Sequence, residues 1–159
     1  MSDMYENAPY LLIIDSRFYE DLSDELVRGA IAEIDSIGGT YRRVSVPGVF
    51  EIPAGIRLAV RSMELVSAAA HNRFDGYIAL GCVIRGETDH YEHVSRESLR
   101  GVNDLAMQYS IAVGMGILTC NTKEQAMERA SVDKGNVGGR AARTAVQMVE
   151  FKRSFLADR

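Results

Sequence analysis

The chain has 159 residues, 47% of them hydrophobic and 25% charged, which suits one soluble domain with a real core and is too short for two. Its net charge of −4, with no basic stripe visible along the chain, argues against a general nucleic-acid binder, so no nucleic-acid partner is expected. The cations that do gather, Arg140, Arg143, Lys152 and Arg153, have acids scattered nearby and read as a solvated helix face.

Tyr10–Ile14 (YLLII) is a continuous apolar run, the pattern of a strand buried on both faces. Leu22, Leu26, Ala30, Ile31, Ile34 and Ile37 then follow helical spacing until Gly38-Gly39 stops them. Thr40–Val46 (TYRRVSV) reads as a second strand, broken by Pro47-Gly48. Pro53 suits the first turn of a helix that turns Ile52, Ile56, Ala59, Val60 and Met63 inward. A third strand spans Tyr77–Ile84. The helix after it, Tyr91–Tyr109, carries Val94, Leu99, Val102, Leu105 and Ala106 on one side. Ile111–Leu118 makes a fourth strand, after which Asn121 and Glu124 have the spacing of a capping box. DKGNVGG (133–139) breaks the chain, and Arg140–Leu156 resumes a helix with Ala145, Val149 and Leu156 on one stripe.

Strands alternating with helices imply βαβ units and a parallel sheet covered on both faces. The expected fold is a single-domain, flavodoxin-like three-layer α/β/α sandwich around a four-stranded parallel sheet. A short N-terminal arm (1–9) would precede the domain at 10–159. Two cysteines, Cys82 and Cys120, are too few for a disulfide scaffold and read as buried free thiols in a reducing, cytoplasmic setting. The opening MSDMYENAPY lacks the basic start and apolar core of a secretory signal, and no apolar run reaches membrane-span length, so no membrane association is expected.

Ligands of open parallel sheets bind beyond the carboxyl ends of the strands. That rule gathers DSRF (15–18), PGVFEIP (47–53), RGETDHY (85–91) and TCNT (119–122) on one rim. RGETDH reads equally as an anion site, built from helix-start amides and the Thr88 hydroxyl, and as a polar loop whose Asp89 caps the helix. His90 offers a ring that can carry protons, or is an ordinary surface histidine. His90 and His93 share a helix face, yet no further Cys or His lies at ligand spacing, so no metal is expected. Phe18 and Phe50 are core residues or a stacking pair for a flat heterocycle. Glu51 is a first-turn acid or an acceptor for ring N–H groups, and Arg129 a dipole-compensating charge or an anion clamp.

The segments DSRF (15–18), VPGVFEIP (46–53), ALGCVIRGETDHYEHV (79–94), GILT (116–119) and EQAMERA (124–130) together resemble the lumazine synthase family, in the family's order and over nearly the whole chain. The resemblance implies an enzyme of riboflavin biosynthesis that condenses 5-amino-6-(D-ribitylamino)uracil with 3,4-dihydroxy-2-butanone 4-phosphate. The products are 6,7-dimethyl-8-ribityllumazine, phosphate and water, formed without metal or cofactor. It further implies that Phe18 stacks on the pyrimidine while Val49, Phe50 and Glu51 bind its ring and ribityl chain. Cys82, Val83 and Ile84 would supply main-chain contacts, Glu87 and Thr88 would hold the phosphate, and Arg129 would pair with it. His90 would transfer protons, and Met115 would close the site from the adjacent subunit. The assembly implied is a homopentamer or a multiple of pentamers, up to an icosahedral shell, with riboflavin synthase as an associated partner.

Two positions depart from the family pattern. Val137 stands where a lysine is expected near the phosphate, and Arg140 where an acid is expected to orient the histidine. Val137 cannot attract an anion and Arg140 offers no acceptor to an imidazole N–H. Weaker phosphate binding is therefore expected, with Lys134, one turn away, compensating in part. These departures also define the rival reading, a relative of low or no activity that binds riboflavin or a lumazine.

Overall fold

Leu11–Ser16 are all buried, so β1 (Tyr10–Ser16) lies inside a sheet rather than on its edge. The computed structural model describes residues 7–65 and 73–157, and the first six residues of the expected arm lie outside that range. In chain order β1 is followed by α1 (Glu20–Ser36), β2 (Thr40–Val46), a 3-10 turn at Val49–Glu51, and α2 (Ile52–Leu65). Then come β3 (Gly76–Ile84), α3 (His90–Tyr109), β4 (Ala112–Cys120), α4 (Lys123–Ala130) and α5 (Val137–Ala157). The strands form one four-stranded, wholly parallel sheet in the order β2-β1-β3-β4, with Leu11 opposite both Tyr41 and Gly76, and Gly76 opposite Ala112. This is the three-layer α/β sandwich expected from the alternation of elements.

The two cores lie on opposite faces of the sheet. On one, Leu11, Ile13, Ile78 and Leu80 pack against Leu22, Leu26 and Ile34 of α1 and the alanines of α4 and α5. On the other, Leu12, Ile14, Tyr77, Ala79 and Val83 meet Ile52, Ile56 and Val60 of α2 and Val102 of α3. Gly114 lets α5 rest on the β4 main chain, since a Cβ there would collide with the Ala141 carbonyl. Gly138 does the same for α5 on α1, against the carbonyl of Leu26.

Some expected boundaries move, each for a local reason. The α4 N-cap is Thr122 rather than Asn121. Its backbone is extended and its hydroxyl accepts the Gln125 N–H at 3.1 Å, while the Gln125 side chain returns to the Asn121 N–H at 2.9 Å. The box is thus closed one residue later, by glutamine instead of Glu124. Val137-Gly138-Gly139 belongs to the first turn of α5, not to the break. There Asn136, in the left-handed region at φ 45, receives the Gly139 N–H and starts the helix, and the glycines admit the close α1 contact. Leu156 is 63% exposed and does not share the inward stripe of Ala145 and Val149. Val149 already lies over Gly76, the first residue of β3, so later turns of α5 overrun the sheet. On α3 the side turned to the sheet is led by Ser95, Ser98 and Val102, with Val94, Leu99, Leu105 and Ala106 half-buried beside it.

Candidate active site

The sheet order reverses direction between β1 and β3, which opens a crevice at their carboxyl ends. Near that end β1 carries Asp15, a fully buried carboxylate. It accepts hydrogen bonds from Arg43 Nε (3.0 Å) and Nη2 (2.9 Å), Ser23 Oγ (2.6 Å) and Ser45 Oγ (3.0 Å). Burial alone would raise this carboxyl, but those bonds and the Arg43 charge outweigh it and hold Asp15 below the usual carboxylate range. Arg17, two residues on, donates to Asp24 at 2.8 Å. With both strand ends tied to α1, the turn between them carries Phe18 outward, 71% exposed and packed edge-on against Tyr19 at 5.0 Å.

A cleft of about 640 Å³ opens beneath Phe18, a size that fits a small-molecule ligand. The turn after β2 brings it Val49, Phe50 and Glu51, the end of β3 supplies Cys82, Val83 and Ile84, and α3 supplies His90. Phe50 is 59% exposed, so two large aromatic rings face open space. His93, Val94 and Glu97 line the same cleft, one and two turns beyond His90, and Tyr19 joins beside Phe18. No motif marks these four as liners, although 90, 93, 94 and 97 have the helical spacing of one face. Glu97 is paired with Arg100, which keeps its carboxylate low.

Of the two buried thiols, Cys82 lines the cleft and Cys120 lies next to it, outside the lining. Burial, with Cys120 beside it, pushes the Cys82 thiol up to about 12, and burial also raises Cys120. Neither is a nucleophile at neutral pH. Cys82 can contribute main-chain groups and shape.

Beyond Ile84 the loop 85–89 leads into α3, and Glu87, Thr88 and Asp89 are all exposed. Asp89 occupies the N-cap position without capping. Its carboxylate meets His93 Nε2 at 3.2 Å, and the His90 N–H donates instead to Thr88 Oγ1 at 3.4 Å. The amides of Glu87, Thr88 and Tyr91 have no acceptor among the described residues, which is the donor arrangement an anion would use.

The remaining candidates lie outside the cleft. Met115 is half-buried on β4, and Arg129 is exposed on α4 with Nη1 donating to the Gln125 carbonyl at 3.1 Å. Val137 packs against the α1/α5 core, Lys134 is engaged with Glu128 at 2.7 Å, and the exposed Arg140 guanidinium has no partner among the described residues. The described residues contain no group of three or more His, Cys, Asp and Glu side chains placed to share a metal ion.

The family model described as 6,7-dimethyl-8-ribityllumazine synthase matches residues 9–153. A protein of that name from Afipia carboxidovorans is 49% identical over 144 residues, which is 90% of this chain and 85% of the relative. The one from Paramagnetospirillum magneticum is 44% identical over 143 residues, 90% of this chain and 94% of the relative. A third, 6,7-dimethyl-8-ribityllumazine synthase 1 of Rhizobium meliloti, is 44% identical over 150 residues and covers 94% and 95% of the two chains.

Proposed function

The chain belongs to the 6,7-dimethyl-8-ribityllumazine synthase family, and from that premise we propose how its own residues carry out the reaction of riboflavin biosynthesis. It condenses 5-amino-6-(D-ribitylamino)uracil with 3,4-dihydroxy-2-butanone 4-phosphate. The observation that carries the residue assignment is the convergence of Phe18, Val49, Phe50, Glu51, Cys82, Val83, Ile84 and His90 on one cleft.

The pyrimidine enters between Phe18 and Phe50, with Glu51 accepting from its polar hydrogens and the main chain of 82–84 reading its edge. The phosphate of the second substrate sits on the unpaired amides of Glu87 and Thr88, beside the Thr88 hydroxyl, at the positive end of α3. The aryl amine attacks the ketone and expels a water to give an imine, phosphate is eliminated, and the ring closes with loss of a second water. Holding both reactants in register supplies about 7–11 kcal/mol of the barrier. His90, in the cleft wall, relays the protons that imine formation and ring closure require.

Met115 and Arg129 reach a cleft only from a neighbouring copy, so the working unit is a ring of subunits, a pentamer or a multiple of it. The half-buried Val113, Met115 and Ile117 on edge strand β4, and the exposed Leu58 and Leu65 on α2, support such contacts. Arg129 then pairs with the phosphate across the subunit boundary. Two buried free thiols support a cytoplasmic setting, where riboflavin synthase is the associated partner that takes the product.

Mixing purified protein with both substrates tests the activity. Lumazine absorbance and fluorescence should grow faster than the spontaneous rate. No acceleration, together with tight flavin binding, would establish the rival reading of a binder.

Val137 makes the phosphate subsite weaker than a lysine would, and Lys134 is already engaged by Glu128. A Val137→Lys variant is expected to lower the KM for the butanone phosphate about threefold to tenfold, the worth of one charge-assisted contact. An unchanged KM would remove Val137 from the account of the site.

A further inference from the structure

The loop 86–89 is anchored by a side chain that the reaction scheme leaves unused. Arg85, the residue just after β3, donates its main-chain N–H to the Cys120 carbonyl at 2.9 Å. Its Nε donates to Asn121 Oδ1 at 3.1 Å in the β4–α4 turn. Its Nη1 donates to Glu92 Oε1 at 3.3 Å in the first turn of α3. The face of the same guanidinium lies 4.4 Å from the centroid of the Tyr91 ring. One planar group thus joins the end of β3, the start of α3 and the turn that leads into α4.

We propose that Arg85 is a positioning residue for the anion-binding loop: by clamping residue 85 to Tyr91, Glu92 and Asn121, it fixes Glu87 and Thr88 before phosphate arrives. This rests on the reading of that loop as the phosphate subsite. Residues 86–89 are all exposed; Asp89 is tied to α3 through its carbonyl and its carboxylate, whereas among the described residues Gly86, Glu87 and Thr88 have only the long Thr88–His90 contact to that helix. A loop without an anchor at its base would be ordered only on binding, at the expense of affinity for the anion. The clamp needs the shape of arginine. A lysine carries the charge but cannot stack on Tyr91 while donating along two edges toward Asn121 and Glu92. The cation–π contact and the ion pair also act on adjacent residues, Tyr91 and Glu92, so the first turn of α3, where His90 sits, is held in the same step.

The test is steady-state kinetics on the full chain with each substrate varied in turn, for Arg85→Ala, Arg85→Lys and Asn121→Ala. Arg85→Ala is expected to raise the KM for the butanone phosphate about tenfold. The KM for the ribitylaminouracil should stay within about twofold and kcat within about threefold. Asn121→Ala, remote from the loop, should move the same KM in the same direction by a smaller factor, and Arg85→Lys should recover less than half of the loss. An unchanged phosphate KM, or two KM values rising together, would overturn the proposal. Full rescue by lysine would overturn it too, by making Arg85 a charge that touches the anion. Calorimetric titration with inorganic phosphate reads the same loop without turnover. Wild-type protein that binds phosphate but makes no lumazine would sink the reaction reading alone, and equal phosphate affinity in the wild type and Asn121→Ala would sink the clamp.

Discussion

An Arg43→Met variant is expected to be about 3 kcal/mol less stable than the wild type at neutral pH, the cost of leaving a buried carboxylate without its partner. Asp15 is fully enclosed, and Arg43 supplies two of its four hydrogen bonds and its nearest opposite charge. The figure stands at the low end of the usual range because Arg43 itself remains about a third exposed. The pH dependence follows from the direction of the Asp15 shift. A carboxyl held low in the fold contributes stability above its unfolded value, and the contribution disappears as pH falls through the folded value. The wild type should therefore keep this contribution down to about pH 4 and lose it below. In Arg43→Met the enclosure persists while the main opposing cause is gone, so the carboxyl rises, and the variant's deficit narrows as pH falls and the enclosed acid takes up its proton. Urea unfolding at fixed protein concentration, at pH 7 and at pH 4.5, measures both effects. A difference under 1 kcal/mol at pH 7, with parallel pH curves, would show that solvent reaches Asp15 as easily as it reaches a surface acid.

Replacing His90 with glutamine is expected to reduce kcat about 100-fold while both KM values change little, because proton relay belongs to the chemical step rather than to binding. Glutamine keeps a hydrogen-bonding side chain at the cleft wall but cannot take up and return a proton. The expected loss is at the low end for a general acid–base because the reactants remain held in register. His93 stands one turn away on the same helix face, but its Nε2 is joined to Asp89, so it does not replace His90. A kcat within threefold of wild type, with unchanged assembly size, would move the proton transfers to solvent or to the substrate's own phosphate.

Much of this architecture is written locally. YLLII, buried on both faces, and the helical spacing of Leu22, Leu26, Ala30 and Ile34 each determine one element within a few residues. The parallel order then brings the polar strand ends to one rim. The rim residues that could be read in advance are those whose motif and position coincide, Phe18, Phe50, Glu51 and His90. What escapes a linear reading depends on pairs far apart in the chain. Asp15 becomes a structural anchor only when β2 brings Arg43 beside it, 28 residues later. Arg85 becomes a clamp only when the β4–α4 turn presents Asn121. The α4 cap shifted because Asn121 and Thr122 are both good caps followed at three residues by Glu124 and Gln125, and local preference alone could not choose.

The bare main chain of β4 at Gly114 has a consequence for how this protein can change. One side of the strand meets α5 with no side chain between them at Gly114, so the helix is seated on the backbone itself and no added volume is tolerated there. The other side carries Val113, Met115 and Ile117, which touch the α2/α3 core only in part. Side chains on that second side can be exchanged without disturbing the seat of α5. The strand therefore works as a rigid tray, with one side committed to the body and the other open to revision. Residues there, Met115 among them, can be refitted to a new neighbour while the framework stays as it is.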